Sequence, residues 1–296
     1  MASSDLLRGA GTTPKFGLNL LLWATDVRGE TYLPLFERIK SMGYDGVEVP
    51  VLDPDEKAYK RLGQHLDNLG LERTVVSIRR PEFDPISSDA GVRAAGHEHL
   101  AAIIESCACL GARLLVGPQQ AALGVVGRPA NANEWRWATE SARAACEVAQ
   151  EANVVLAYEP LNRFESYLFN TVADGLRFVE DVNHPNCRLM YDTFHAHIEE
   201  QDVARAIAKA APRLAHVHIS ESDRGIPGRG QVHWSKTFSA LRTLGYSGWL
   251  TVEAFGMRLP DLAAATCIWR RTFETEELLA EESINFLHQN CDVKRP

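Results

Sequence analysis

Four short apolar runs each end on a side chain able to bind a metal: VVLAYEP at residues 154–160, RLMYDTFH at 188–195, LAHVHIS at 214–220 and WLTVEAFG at 249–256. The side chains are Glu159, Asp192, His218 and Glu253, at intervals of 33, 26 and 35 residues. Such intervals are about what a strand, a crossover helix and the return to a parallel strand consume. Consecutive parallel strands would then carry one donor each to the same rim of a barrel.

The same rhythm extends over the rest of the chain. Four earlier apolar runs, FGLNLLL from residue 16, GVEVPV from 46, RTVVSI from 73 and ARLLVG from 112, bring the strand candidates to eight. Amphipathic stretches lie between them, among them YLPLFERIKSMG, AYKRLGQHLDNLG, GHEHLAAIIESCACLG, TESARAACEVAQEA, VADGLRFVEDV, VARAIAKAA and WSKTFSALRTLG. Several stop at a glycine, the usual helix terminator. Eight such units in 296 residues predict an α/β fold, a single-domain (β/α)8 TIM barrel. The expected boundaries are a flexible N-terminal tail over 1–14, a catalytic barrel over 15–290 and a C-terminal tail over 291–296, with a last helix near 275–289 closing the barrel. The glycine-dense stretch Gly225-Ile226-Pro227-Gly228-Arg229-Gly230 has no helix start after it and reads as a loop, not a dinucleotide fingerprint. Two long connections, 117–133 and 220–233, fall on the rim where barrels keep their chemistry and are expected to form substrate walls or lids.

Composition narrows the function. Hydrophobic residues make up 45%, and 39 acidic against 31 basic residues give a formal charge of −8. That balance argues against broad electrostatic binding to nucleic acid and favours small uncharged substrates. The six cysteines show neither CxxC nor zinc-finger spacing, no apolar run approaches a membrane span, and the N-terminus lacks a basic start followed by an apolar core. A cytoplasmic protein with no membrane partner is expected.

Three carboxylates converging on one barrel mouth repel one another unless a cation lies between them. Two Glu, one Asp and one neutral His form an oxygen-rich set suited to Mn²⁺, Mg²⁺ or Co²⁺. With Glu159 and Glu253 on strands five and eight, two carboxylates can flank a bound substrate. A chelated carbonyl and hydroxyl would make the intervening C–H acidic by favouring an enediolate; one Glu takes the proton and the other returns one to the opposite face. Beneath the four donors, alternation places Ala157, Met190, His216 and Thr251 inward. His216 is most simply a satisfied core histidine, compatible with support of His218.

The runs EPLNRFES (159–166), YDTFHAHIEE (191–200), HVHISESDRGIPGRG (216–230) and TVEAFG (251–256), with CIWRRTF (267–273), resemble the ketose 3-epimerases, the D-tagatose 3-epimerase and D-psicose (allulose) 3-epimerase family of the xylose isomerase-like barrels. The resemblance spans nearly the whole chain. It implies that Glu159, Asp192, His218 and Glu253 bind one divalent ion, usually Mn²⁺ or Co²⁺, with Glu159 and Glu253 also the acid/base pair. It further implies that Glu165, His195 and Arg224 hold the O1 to O3 end of a free ketose, that Trp23 and Glu48 lie near the substrate at the ends of strands one and two, and that the protein is a homodimer or homotetramer. The implied reaction is epimerisation at C3 of the D-tagatose/D-sorbose, D-fructose/D-psicose or L-ribulose/L-xylulose type through a cis-enediolate. His197, where the family commonly has Asn, reads as structural or exposed.

One segment departs from the family. Where small residues in a stretch like SIGLP are usual, this chain has Ser77-Ile78-Arg79-Arg80-Pro81. A solvent-facing ion pair is the simpler expectation for the two arginines; reshaping of the pocket, or contact with an acidic group on the substrate, is the sharper one. Other reactions on the same barrel are an aldose/ketose or hydroxypyruvate-type isomerisation and an inosose-type dehydration. A phosphodiesterase of the endonuclease IV kind needs more strand-end histidines than this acidic chain offers. A sugar-binding barrel without activity fits poorly with both flanking glutamates in one donor set.

Overall fold

β-branched and leucine-rich segments, each too short to bury itself, are here closed into one ring. The computed structural model describes residues 13–124 and 126–291. Its strands are β1 (Lys15–Asn19), β2 (Gly46–Pro50), β3 (Glu72–Val76), β4 (Leu114–Gly117), β5 (Val155–Tyr158), β6 (Cys187–Asp192), β7 (Leu214–Ile219) and β8 (Trp249–Val252). Every neighbouring pair is parallel, and β1 also pairs with β8, so the sheet is a closed barrel in sequence order. All eight expected strands are present. The FGLNLLL run is shorter as a strand than the pattern suggests: the Asn19 side chain accepts from the Leu21 amide at 2.9 Å and turns Leu20–Leu22 into a 3₁₀ helix.

Alternation along the strands sorts residues between two compartments. Leu115, Leu156, Tyr158, Leu189, Tyr191, Val217 and Leu250 face outward into the shell of helices, whereas Leu114, Val116, Val155, Ala157 and Met190 form a smaller cluster inside the ring. Burial of each large side chain, such as Phe16, Phe36 or Phe178, stabilises the fold by roughly 1.5–3 kcal/mol. The last helix, Glu276–Asn290, buries Leu279, Ala280, Ile284 and Leu287, and Tyr44 Oη donates to the Ala280 carbonyl at 2.8 Å. It therefore covers the β1 and β2 side of the seam, as the sequence predicts. Two short helices, Thr193–Glu199 and Pro260–Ala265, escape the pattern because neither is long enough to show a helical period. The tails expected over 1–14 and 291–296 fall, for residues 1–12 and 292–296, outside the described residues.

Pairing along the second half sets the height of the rim. The β6 and β7 ladder contains an irregularity between Leu189 and Met190, after which Met190 pairs with His216 and Asp192 with His218. Ala215 of β7 has no partner in the β6 ladder, and this extra residue brings His218 level with Asp192. Without it Asp192 would pair with Val217, and the two donors would be one residue out of register.

The candidate metal centre and its pocket

Glu159 and Glu253 each follow directly on the last residue of β5 and β8, while Asp192 and His218 lie at or near the ends of β6 and β7. One donor atom from each of the four lies within 4.8 Å of all the others, and all four side chains are buried. His218 Nδ1 is 3.3 Å from Glu253 Oε1, 3.6 Å from Asp192 Oδ2 and 3.9 Å from Glu159 Oε1. Two strands separate β5 from β8 on one side of the ring and four on the other, so the glutamates approach this point from different sides.

Asp192 has two duties. Its Oδ1 caps the helix Thr193–Glu199, accepting from the amides of Phe194 at 2.6 Å and His195 at 3.0 Å. Its Oδ2 accepts from Ser220 Oγ at 2.9 Å and from Arg224 Nη1 at 3.3 Å. Burial opposes its charge, but Arg224 and His195 outweigh burial and hold the carboxyl well below the usual range. Glu159 behaves oppositely: burial, then the charge of Glu253, pushes its carboxyl well above its ordinary value. Glu159 Oε1 and His218 Nδ1 are both buried without a hydrogen-bond partner. Two unpartnered buried acceptors aimed at one point, with two more carboxylates beside them, fit a divalent cation. The residues present therefore suit the metal that the sequence predicts.

The centre opens onto a cavity of about 230 Å³ lined by Glu159, Glu253, Glu165, His195 and Arg224 on one side. Leu21, Leu52, Val76, Ile78, Pro118 and Leu123 form the other. His195 Nδ1 accepts from the Asn162 amide at 3.0 Å, and its Nε2 lies 3.0 Å from Arg224 Nη2 and 3.7 Å from Glu159 Oε1. Burial pulls the His195 imidazole down to about 4, so it is neutral at pH 7. Arg224 has a left-handed backbone, with φ of 59°. Its guanidinium lies between the rings of Phe194 and Phe255, 4.0 and 4.9 Å from their centres. It donates to Glu253 Oε2 at 2.6 Å and to Ser220 Oγ at 3.2 Å. Asn162 Nδ2 donates to Glu165 Oε1 at 2.7 Å, and the Gly124 amide donates to the Glu165 carbonyl at 2.8 Å. The loop after β4 is thus tied to the loop after β5 above the cavity.

The long loop 220–233 is a braced wall. Buried Glu221 accepts from the amides of Ser222, Gly228 and Val232 at 2.8, 2.8 and 3.1 Å, and from Trp234 Nε1 at 2.8 Å. A side chain at position 230 would collide with this carboxylate. The glycine-dense stretch therefore serves the loop's own packing.

Three expectations for the substrate side are revised. Glu48 is the middle residue of β2, level with Asn19 and Thr74. It lies below the cavity, fully buried, with His218 Nε2 2.7 Å from its Oε1. Trp23 lies beyond the 3₁₀ turn in the main core and does not line the cavity; Leu21 and Thr25 of the same segment do. The paired arginines divide by alternation. Arg80 forms the expected surface pairs, with Asp53 and Glu82, each at 3.0 Å. Arg79 instead points inward, 2% exposed, donating from Nε and Nη2 to Gln119 Oε1 at 3.0 and 2.7 Å. Burial brings its guanidinium down to about 10. Neither arginine lines the cavity. His197 is only partly exposed, its ring 5.6 Å from that of His233, and it is not part of the donor set.

Comparison with known proteins agrees with this geometry. The xylose isomerase-like TIM barrel family matches residues 36–289. A probable ketose 3-epimerase of Synechocystis sp. is 31% identical over 93% of this chain and 96% of its own length. An L-ribulose 3-epimerase of Mesorhizobium japonicum is 33% identical over 95% of each. The chain belongs to the ketose 3-epimerase family. Among solved structures, an L-ribulose 3-epimerase superposes with a TM-score of 0.90 at 32% identity over 95% of each chain. A D-allulose 3-epimerase of Methylomonas sp. in complex with D-allulose gives 0.88 at 29% identity, covering 94% of this chain and 97% of the other. Membership of the ketose 3-epimerases agrees with the eight-stranded fold and with an acidic and histidine cluster at the carboxyl ends of the strands. Residues that sequence reasoning passed over are Ser220, Asn162, Phe194 and Phe255. All four stand inside the quoted motifs, so the signal is present in the sequence without a sign of which atom each would serve.

Proposed function

We propose that the protein inverts C3 of a free ketose, with Glu159, Asp192, His218 and Glu253 holding one divalent cation and the two glutamates exchanging the proton. The observation that carries this reading is the convergence of the four donors, two of them without hydrogen-bond partners, at the floor of a cavity that both glutamates line. A cation bound there supplies charge that offsets the three carboxylates and polarises a carbonyl, making the adjacent C–H more acidic. Glu159, whose carboxyl burial and the charge of Glu253 push well above its ordinary value, is suited to take and return a proton. Glu253, reaching the same region from β8, serves the opposite face, and Arg224 and Asn19 orient its two oxygens. His195 presents Nε2, and Arg224 its guanidinium, to the oxygens of the keto end, while Glu165 accepts from a hydroxyl.

Mn²⁺ or Co²⁺ is the ion that the family resemblance favours. The D-fructose/D-psicose and L-ribulose/L-xylulose pairs head the substrates to test, because relatives bear those names. A homodimer or homotetramer is the assembly implied by the same resemblance. The free thiols of Cys107, Cys109, Cys146, Cys187 and Cys267 support a reducing, cytoplasmic setting; among the described residues no helix is long and apolar enough to cross a membrane.

Incubation of D-fructose and L-ribulose with the Mn²⁺-supplemented protein in deuterated water tests the reaction. Inversion with deuterium at C3 is expected. Deuterium at C1 without inversion would instead make the protein an aldose/ketose isomerase, and loss of water a dehydratase.

A further inference from the structure

Glu48 lies inside the barrel, one layer below the cavity, where a lone carboxylate would be costly to bury. Four groups surround it. Oε1 faces His218 Nε2 at 2.7 Å and accepts from Asn19 Nδ2 at 3.1 Å. Oε2 accepts from Thr74 Oγ1 at 2.8 Å and lies 3.0 Å from His216 Nε2, at ion-pair distance but not aligned for a hydrogen bond. Asn19 also donates to Glu253 Oε1 at 3.0 Å, through the same amide nitrogen. One side chain of β1 thus joins Glu48 to a member of the donor set above.

A neutral imidazole carries a single N–H. With the proton on Nε2, directed at Glu48, the lone pair of His218 stays on Nδ1, the atom facing Asp192, Glu159 and Glu253. With the proton on Nδ1 the ring would present a donor where a cation needs an acceptor. We propose that Glu48 is a positioning residue that holds His218 in its Nε2–H form, so that Nδ1 is the metal-binding atom, and that Asn19 couples this support to Glu253. The inference rests on the cation site proposed above. It assigns to β2 a role in metal affinity instead of substrate contact. A carboxylate behind a ligating histidine also makes the ring a stronger donor, and removal of such a partner typically weakens metal binding by about 10–100-fold.

The test is Mn²⁺ binding by titration calorimetry to the purified metal-free protein, comparing the unaltered chain with Glu48→Gln. Gln keeps the shape and can satisfy the same surroundings as a neutral group, its amide donating to Thr74 Oγ1 or His216 Nε2. A dissociation constant weakened by about 10–100-fold, with circular dichroism unchanged, is expected. Equal affinity in a folded Glu48→Leu variant, which removes the acceptor that a Gln oxygen could still offer His218 Nε2, would overturn the role of Glu48. Absence of Mn²⁺ binding by the unaltered chain would overturn the cation site itself, a different failure. Two further measurements hold if Glu48→Gln does not fold. Thr74→Val, which removes one hydrogen bond to Glu48 and keeps the side-chain shape, should weaken Mn²⁺ binding several-fold; an unchanged constant counts against the proposal. Nitrogen-15 NMR of the histidine rings in the unaltered protein should show His218 protonated on Nε2, and protonation on Nδ1 overturns it.

Discussion

The two halves of the barrel carry different burdens. β5 to β8 supply all four candidate metal donors together with Glu165, His195 and Arg224, each on or just after a strand of that half. β1 to β4 contribute no donor at the rim. Their part of the cavity is Leu21, Leu52, Val76, Ile78 and Pro118 with the uncharged Thr25 and Ser77, and Asn19, Glu48 and Thr74 lie a layer lower. The difference teaches a division of labour: one half holds charge where bonds change, and the other gives shape above and orientation below. On the proposed reading, a hydroxyl-rich substrate would be gripped mainly at one end.

The sharpest way to break this comparison is to remove a charge from the second half without changing its shape. Glu159→Gln and Glu253→Gln should each lower kcat by about 10²–10⁴-fold while ketose binding, followed by calorimetry in the presence of Mn²⁺, persists. Normal turnover in either variant ends the two-glutamate mechanism. Cation removal comes next in size. Chelation should abolish activity, and Mn²⁺ restored at 100 times its dissociation constant should stabilise the fold by about 2.7 kcal/mol, seen as a rise in melting temperature. A melting curve indifferent to Mn²⁺ would mean that the four donors do not share an ion.

The first half should respond in specificity. Leu52→Ala and Ile78→Ala remove apolar wall from the cavity, and the ratio of kcat/KM between ketopentoses and ketohexoses should shift by about 1–3 kcal/mol, on the order of tenfold or more. Equal losses on every ketose would place these residues in stability instead of selection. Arg80→Ala should do least: its pairs with Asp53 and Glu82 are partly exposed, and the stability change should stay within about 0.5 kcal/mol by denaturant titration, with kinetics unaltered. A larger change in KM would bring that arginine back to the pocket.

Much of this was legible from the chain because a barrel repeats one local rule. An apolar run marks a strand, and the polar residue at its carboxyl end marks the rim; hence Glu159, Asp192, His218 and Glu253 can be read directly. Depth within the barrel cannot be read in that way. Glu48 stands inside the run GVEVPV; the resemblance implies a strand-end place near the substrate, whereas parallel pairing with Asn19 and Thr74 puts it in mid-strand, below the cavity. Arg79 and Arg80 are identical letters whose fates differ because successive side chains point to opposite sides. The resemblance implies a place near the substrate for Trp23; the Asn19 cap turns the chain after β1, and Leu21 and Thr25 line the cavity instead. The helix Thr193–Glu199 was missed as an element although its cap, Asp192, was singled out for another purpose.

That double use of Asp192 constrains how this centre can evolve. One oxygen starts the helix that carries His195, and the other faces the cation position. A mutation there moves two things together, the cation position and the histidine that lines the cavity. Glutamate, a methylene longer, cannot keep both distances, and asparagine keeps the cap while losing the charge. Drift toward another metal or another sugar is therefore easier through the apolar wall than through this residue, and lineages that change substrate should vary at the wall first.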